Sequence, residues 1–202
     1  RLLCFAVLGL SGLSGCAQKN LYDCYMGAPD AAERRDCIAN GQADVTVEPG
    51  QSINQAMFDM PADATRWVVK VRPGTYRETI AIDRSGVMLV GVTSADRPEE
   101  RVVIDGALDG GKVRKDAVIV SGSRFVMDGI TVKNYSGNGV TTSKSLGVTL
   151  RNLVADNTGN YGVYPVESED ILIEDCVTTG IKDAGIYVGQ SKRATVRRNK
   201  VF

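Results

Sequence analysis

Three consecutive segments decide the fold: GVTTSKSLGVTLRNLVADNTGNY (139–161), GVYPVESEDILIEDCVTTGIKDA (162–184) and GIYVGQSKRATVRRNKVF (185–202). Gly139, Gly162 and Gly185 open them at a spacing of 23 residues. Each reads as glycine, short apolar strand, serine turn, second strand, third strand and polar turn. The register carries back to Asp116, with Ala117 expected over Val140, Val163 and Ile186. A fixed period of this size is the mark of a solenoid. Because the elements are β-type, the expected fold is all-β: a single-stranded parallel β-helix of about 23 residues per coil.

Aligned columns support this reading. Phe125, Val148, Ile171 and Ala194 share one position; Met127, Leu150, Ile173 and Val196 share the position two residues on. Ile130, Leu153 and Cys176 form a third column. Apolar columns alternate with outward ones, as half-buried strands require. Leu150, Ile173 and Val196 are expected inward, and Arg151, Glu174 and Arg197 outward. One coil buries too few side chains to offset the entropy of ordering its backbone, so coils must stack. Ser145, Ser168 and Ser191 recur in one turn, with Gly122 in the coil before, and Asn134 and Asn157 in another. They read either as hydrogen-bonded ladders or as ordinary turn residues; both roles are structural. Cys176, in an inward column, reads as an inert core residue.

The 202 residues suffice for one domain with a sizeable core. Lys and Arg balance Asp and Glu at 24 each, and no broad basic stripe appears, so nucleic acid is not an expected partner. The sequence holds no histidine, which excludes histidine-based catalysis or metal ligation within this stretch. No cofactor or metal is expected.

Residues 2–15, LLCFAVLGLSGLSG, are a short apolar run ending in small residues, too short to span a bilayer, and read as a signal peptide (1–15). Leu13-Ser14-Gly15-Cys16 resembles the bacterial lipobox, which implies lipidation of Cys16 and attachment to a membrane. Ala17 after it resembles outer-membrane sorting. Residues 16–44 are expected to form a lipid-anchored polar tether, with Cys24 and Cys37 joined by a disulfide in an oxidising compartment or left as thiols. The β-helix domain is expected over 45–202. Ser52 is a good N-cap for INQAMFDM, whose Ile53, Ala56, Met57 and Met60 fall on one face. Such a helix would cover the open end of the first coil. Strands are expected at 67–71, 78–82, 86–92 and 102–105, with polar loops at 94–100 and 107–115. The sequence halts inside a coil at Val201-Phe202, so further coils and a cap are expected beyond it. The fragment as written would aggregate or pair end to end.

The motifs VKVRPGTYRETIAI (69–82), GVMLVG (86–91) and VIDG (103–106) resemble the opening coils of the pectin lyase-like superfamily. That resemblance implies a right-handed helix. GVYPVESEDILIEDCVTTGIKDAGIYVGQSKRATVRRNKV (162–201) resembles an uncharacterised family of bacterial exported proteins, often lipoproteins, with parallel β-helix repeats. This second resemblance sharpens fold and location and implies no chemistry. Enzymes of the superfamily place their cleft on the face formed by the first strand of each coil and the turn before it. Here those parts are 156–164 and 179–187, with Thr141, Tyr164 and Tyr187 as the outward column. Asn160, Glu167, Lys182, Asp183 and Gln190 are near in the register. Two tyrosines one coil apart offer an apolar ledge with hydroxyl tips that suits a sugar chain, or else a ladder that only supports strand pairing.

A second outward column is expected to run Asp105, Asp128, Arg151, Glu174 and Arg197, with Asn152, Asp175 and Arg198 beside it. Carboxylates near arginines are the raw material of acid–base chemistry, but such a column reads first as a salt-bridge ladder. The superfamily's activities find little support. The DFIFG-type strand of pectin methylesterases, the histidine of polygalacturonases and the D-P-H motif of alginate-type epimerases are all missing. Asp175, Asp183 and Arg198 imitate pectate lyase sites in composition only. The expected function is therefore a cell-envelope lipoprotein whose β-helix binds glycan or a partner protein. The alternative is a lyase-like, polysaccharide-active enzyme with part of its site in further coils.

Overall fold

Backbone pairing between equivalent strands builds the molecule. The computed structural model describes residues 19–93 and 100–202. Cys16 and the signal-like run lie outside the described residues, as does most of the loop expected at 94–100. Among the described residues the strands form three wholly parallel sheets. A seven-stranded sheet stacks Val45–Val47, Trp67–Val71, Val87–Gly91, Phe125–Asp128, Leu146–Arg151, Glu169–Glu174 and Lys192–Arg197. A five-stranded sheet stacks Ile80–Ile82, Val118–Val120, Val140–Ser143, Tyr161–Val166 and Ala184–Ile186. A six-stranded sheet runs from Gly74–Tyr76 to Lys200–Val201. The protein is a parallel β-helix with about 23 residues in each later coil.

The apolar columns fall where alternation puts them. Phe125, Val148, Ile171 and Ala194 are partners in register, as are Met127, Leu150, Ile173 and Val196. Met127, Leu150 and Ile173 are fully buried; Val196, in the last coil, is 46% exposed. Ile130, Leu153 and Cys176 are buried in the same core, and burial pushes the Cys176 thiol up to about 12. The serine turn is a true ladder. The Ser145 N–H donates to the Ser168 hydroxyl at 3.1 Å, and the Ser168 N–H to Ser191 at 3.0 Å. Asn157 donates to Asn134, and Asn134 to Asp105.

Two registers depart from the sequence reading. Val118, not Ala117, pairs with Val140, because the later coils carry one extra residue in the serine turn. That residue is Lys144, Glu167 and Gln190 in turn, each in the left-handed region (φ 53°, 48° and 44°). Asp105 leaves the charged column altogether. It pairs with Lys133 in the six-stranded sheet, and Val90 stands beside Asp128 instead. The 23-residue period cannot be extrapolated there, since Val90 and its partner Asp128 are 128 − 90 = 38 residues apart.

Helix α3 (Ile53–Phe58) caps the first coil. Ser52 accepts from the Gln55 N–H, and the Glu78 carboxylate receives the Ile53 and Asn54 N–H groups, satisfying donors that a helix start leaves orphaned. Ile53, Ala56, Met57 and Met60 close the core. The larger difference lies at 19–44. Instead of a polar tether, these residues form a helical hairpin, α1 (Leu21–Gly27) and α2 (Ala31–Asn40), clamped by the Cys24–Cys37 disulfide. Leu21, Tyr25, Cys37 and Ile38 pack onto Val68, Met88, Val90, Val92 and Val126, on the outer side of the seven-stranded sheet. A second, smaller core results.

The opening glycines are required by close approach of neighbouring coils. A Cβ at Gly139 would strike the Gly162 carbonyl, and one at Gly162 would strike the Gly185 carbonyl and crowd Thr178 and Ala155. Gly162→Ala is therefore expected to lower the unfolding free energy by about 1–3 kcal/mol in denaturant titration. Unchanged stability would show that the coils do not approach so closely.

Candidate functional site

The outward column of the five-stranded sheet runs Ala81, Ile119, Thr141 and Tyr164, with Tyr187 one coil beyond. The neighbours on either side, such as Val140 and Val163, point into the core, so the pleat forces these residues out. Tyr164 and Tyr187 stack with ring centroids 5.5 Å apart and planes 10° from parallel. Tyr161, at the start of its strand, leans on both, at 4.6 Å from Tyr164 and 5.0 Å from Tyr187. Gly189 leaves the room they need: a Cβ there would lie about 3.0 Å from the Tyr164 ring and 3.3 Å from Tyr187. Ile119 is 41% exposed, so the ledge carries apolar surface beyond the rings.

Polar groups flank the tyrosines on both sides. Asp183 and Asn160 occupy equivalent turn positions, joined by the Asp183 N–H to the Asn160 carbonyl at 3.2 Å. The Tyr161 phenol is raised by partial desolvation and by the nearby negative charge of Asp183. Lys182 is exposed in the same turn, its N–H on the Thr158 carbonyl. Glu167 and Gln190 are exposed at the other end of the strands, about 10 Å from the tyrosines at the usual rise. Glu167 pairs with Lys144 at 3.7 Å. Thus Tyr164, Tyr187, Asp183 and Asn160 form one continuous surface, and Glu167 and Gln190 mark its far edge. Tyr161 and Ile119 belong to the ledge and were not singled out from the sequence. Tyr161 precedes the coil-opening glycine and reads there as a turn residue. Ile119 becomes an outward residue only with the corrected register.

The charged column lies on the seven-stranded sheet. Asp128, Arg151, Glu174 and Arg197 are direct neighbours there. Glu174 is almost wholly buried, and its carboxylate receives Arg151 Nε, Arg197 Nε at 2.7 Å and Arg198 at 2.7 Å. Burial opposes its ionisation, but the hydrogen bonds from Arg151 and Arg197 outweigh this and hold it at about 2. The buried Asp128 accepts the Tyr25 hydroxyl at 2.6 Å, and Arg151 reaches the same hydroxyl at 3.3 Å. Desolvation raises the Asp128 carboxyl despite Tyr25 and Arg151. Arg198 holds Asp175 through two hydrogen bonds, at 2.7 and 2.9 Å. Asp183 lies in the turn leading to the five-stranded sheet, away from that pair. The trio Asp175, Asp183 and Arg198 therefore does not assemble, and among the described residues no three acidic, thiol or imidazole groups converge as a metal centre needs.

With this geometry the relationships are clear. The family model described as "Right handed beta helix region" matches residues 85–202, and the chain belongs to that family. No curated protein matches the sequence. A pectin methylesterase solved with a hexasaccharide superposes with a TM-score of 0.54 at 15% identity, over 72% of this chain and 52% of that one. Pectin methylesterase PemA from Erwinia chrysanthemi (TM-score 0.42, 14% identity, 68% and 54% covered) is similar at a looser level. So is the enzyme from Aspergillus niger (TM-score 0.42, 20% identity, 76% and 59% covered). The chain spans about half the length of these structures, and the likeness is one of fold: a right-handed parallel β-helix.

Glu174 gives a pH test. Its carboxyl is depressed in the folded state, so its contribution is complete above the ordinary value of 4.5 and is lost as pH falls through about 2. The raised Asp128 carboxyl acts with the opposite sign, so the difference between wild type and Glu174→Gln isolates Glu174. In unfolding titrations that difference should shrink steadily as the pH falls from about 4.5 toward 2. A difference independent of pH would contradict the ion-pair assignment.

Proposed function

We propose that this chain is an exported, lipid-anchored module of the cell envelope that binds a glycan along the outer face of its five-stranded sheet. The observation that carries this reading is the three-tyrosine cluster, with Tyr164 and Tyr187 stacked at one-coil spacing on an open surface. Flat apolar rings with hydroxyl tips match sugars, which present C–H faces and hydroxyl edges. Asn160, Lys182 and Asp183 supply donors and acceptors beside the rings, and Glu167 and Gln190 bound the far side. The anchor reading is supported by the Leu13-Ser14-Gly15-Cys16 motif and by a disulfide in the hairpin that follows, which suits an oxidising compartment.

One observation favours an enzyme as the second reading. Asp183 lies near enough to the Tyr161 phenol to raise it, which puts an ionisable pair beside the ledge where a bound sugar would lie. A lyase-like reaction would then draw on this pair.

Calorimetric titration with neutral and acidic oligosaccharides tests the binding. Tyr164→Ala and Tyr187→Ala should each weaken it roughly tenfold or more without unfolding the domain. Undiminished affinity in both variants would place binding elsewhere. Turnover, seen as new ultraviolet absorbance from unsaturated sugar ends, would replace the binding module with the lyase reading. For the anchor, Cys16→Ser should release the protein from the membrane fraction; unchanged fractionation would remove the lipid anchor from the account.

A further inference from the structure

The helical hairpin does more than cover apolar surface. Where its inter-helix turn overhangs the seven-stranded sheet it leaves a cleft of about 720 Å³. The floor is the charged ladder described above. There Asp128, Glu174 and Asp175 face Arg151, Arg197 and Arg198, three carboxylates against three guanidinium groups. Those groups are bonded among themselves, so the floor is close to neutral. The wall is not. It brings Arg34 and Arg35 of α2, with Asp30 as its one carboxylate. Asp30 is the N-cap, accepting the Ala32 and Glu33 N–H groups at 2.8 and 2.9 Å, and its charge also acts on Arg34 and Arg35, so the wall carries a net charge of 2 − 1 = +1.

Neither wall arginine joins the ladder. Arg34 makes a long 3.5 Å contact to the Ala28 carbonyl and no ion pair among the described residues; Arg35 makes neither. Yet Arg34 is near enough to favour the ionised forms of Asp128 and Asp175 across the gap. Two guanidinium groups that hold no carboxylate by hydrogen bonds among the described residues thus line the cleft above a near-neutral floor. The floor offers further donors on the same space. Arg197 uses only Nε on Glu174 and remains about half exposed.

We propose that this cleft binds a compact oxyanion, a phosphate or carboxylate group carried by a soluble small molecule, between Arg34 and Arg35 on the wall and Arg197 on the floor. The planar guanidinium fork fits both groups through paired N–H···O bonds. The disulfide-clamped hairpin holds the wall in place before the ligand arrives, which reduces the entropy of ordering it. The site lies on a different sheet from the tyrosine ledge and does not depend on it.

Titration calorimetry with inorganic phosphate and, separately, with glucuronate tests the proposal. Saturable binding of either is expected; the tighter probe tells whether the natural group is phosphoryl or carboxyl. Arg34→Gln and Arg35→Gln should each weaken binding about tenfold. Arg35 is exposed on α2, so its variant stays folded and keeps the test decisive even if Arg34→Gln loosens the hairpin. Tyr164→Ala should leave anion binding intact, which separates failure of this site from failure of the glycan reading. Absence of saturation with both probes at millimolar concentration, or equal affinity in wild type and Arg35→Gln, would overturn the proposal.

Discussion

The structure depends on hydrogen bonds between the backbones of successive coils. A parallel strand has no partner within its own coil, so each coil is completed only by the next. Strict register follows, and with it the vertical alignment of like side chains. Apolar residues become continuous core columns, serines a bonded ladder in the turn, and asparagines a second ladder ending on Asp105. The same rule sets the charges. An acid placed one coil from a base is held against it, and Glu174 gathers three arginines because its neighbours above and below are both basic.

Register also makes the exposed surfaces. Tyr164 and Tyr187 stack because they occupy one position in successive coils, not because of any attraction specified by their local sequence. Gly189 then matters for what it lacks, since a side chain there would crowd both rings. The hairpin adds what a bare solenoid does not have, an overhanging wall. With it the outer side of the seven-stranded sheet passes from an apolar second core around Met88 to an open, charged cleft around Glu174.

Much of this was visible in the amino-acid sequence, for a simple reason. Period and alternation report the repeat directly wherever coils keep one length, and from Phe125 onward the pairing is the one that the 23-residue spacing implies. Where coil length changes, spacing misleads. Period alone puts Asp105 beside Asp128, although 38 residues separate Asp128 from its true partner Val90; a turn shorter by one residue shifts Ala117 one position off. The hairpin at 19–44 escaped because its composition is polar and its helices are short. Its trace lies elsewhere, in Val87–Val90, a run of four large apolar residues without alternation, all of them buried, which marks a strand covered on both faces. Tyr161 was missed because a turn position in sequence gave no hint that its ring folds back over the ledge.

Residue-resolved amide hydrogen exchange tests the inter-coil bonding most directly. The amides of Val118, Gly139, Val177 and Tyr187 donate to Gly139, Tyr161, Leu153 and Val163 of the adjoining coil and represent all three turns of the path. If stacking holds the molecule together, Val118 and Gly139, in the interior coils, should exchange only through cooperative unfolding and share one slow rate, and Val177 and Tyr187 should be protected to a lesser degree set by their place in the later coils. Exchange of Val118 or Gly139 at the rate of an open chain, while others in the same coils stay protected, would contradict it.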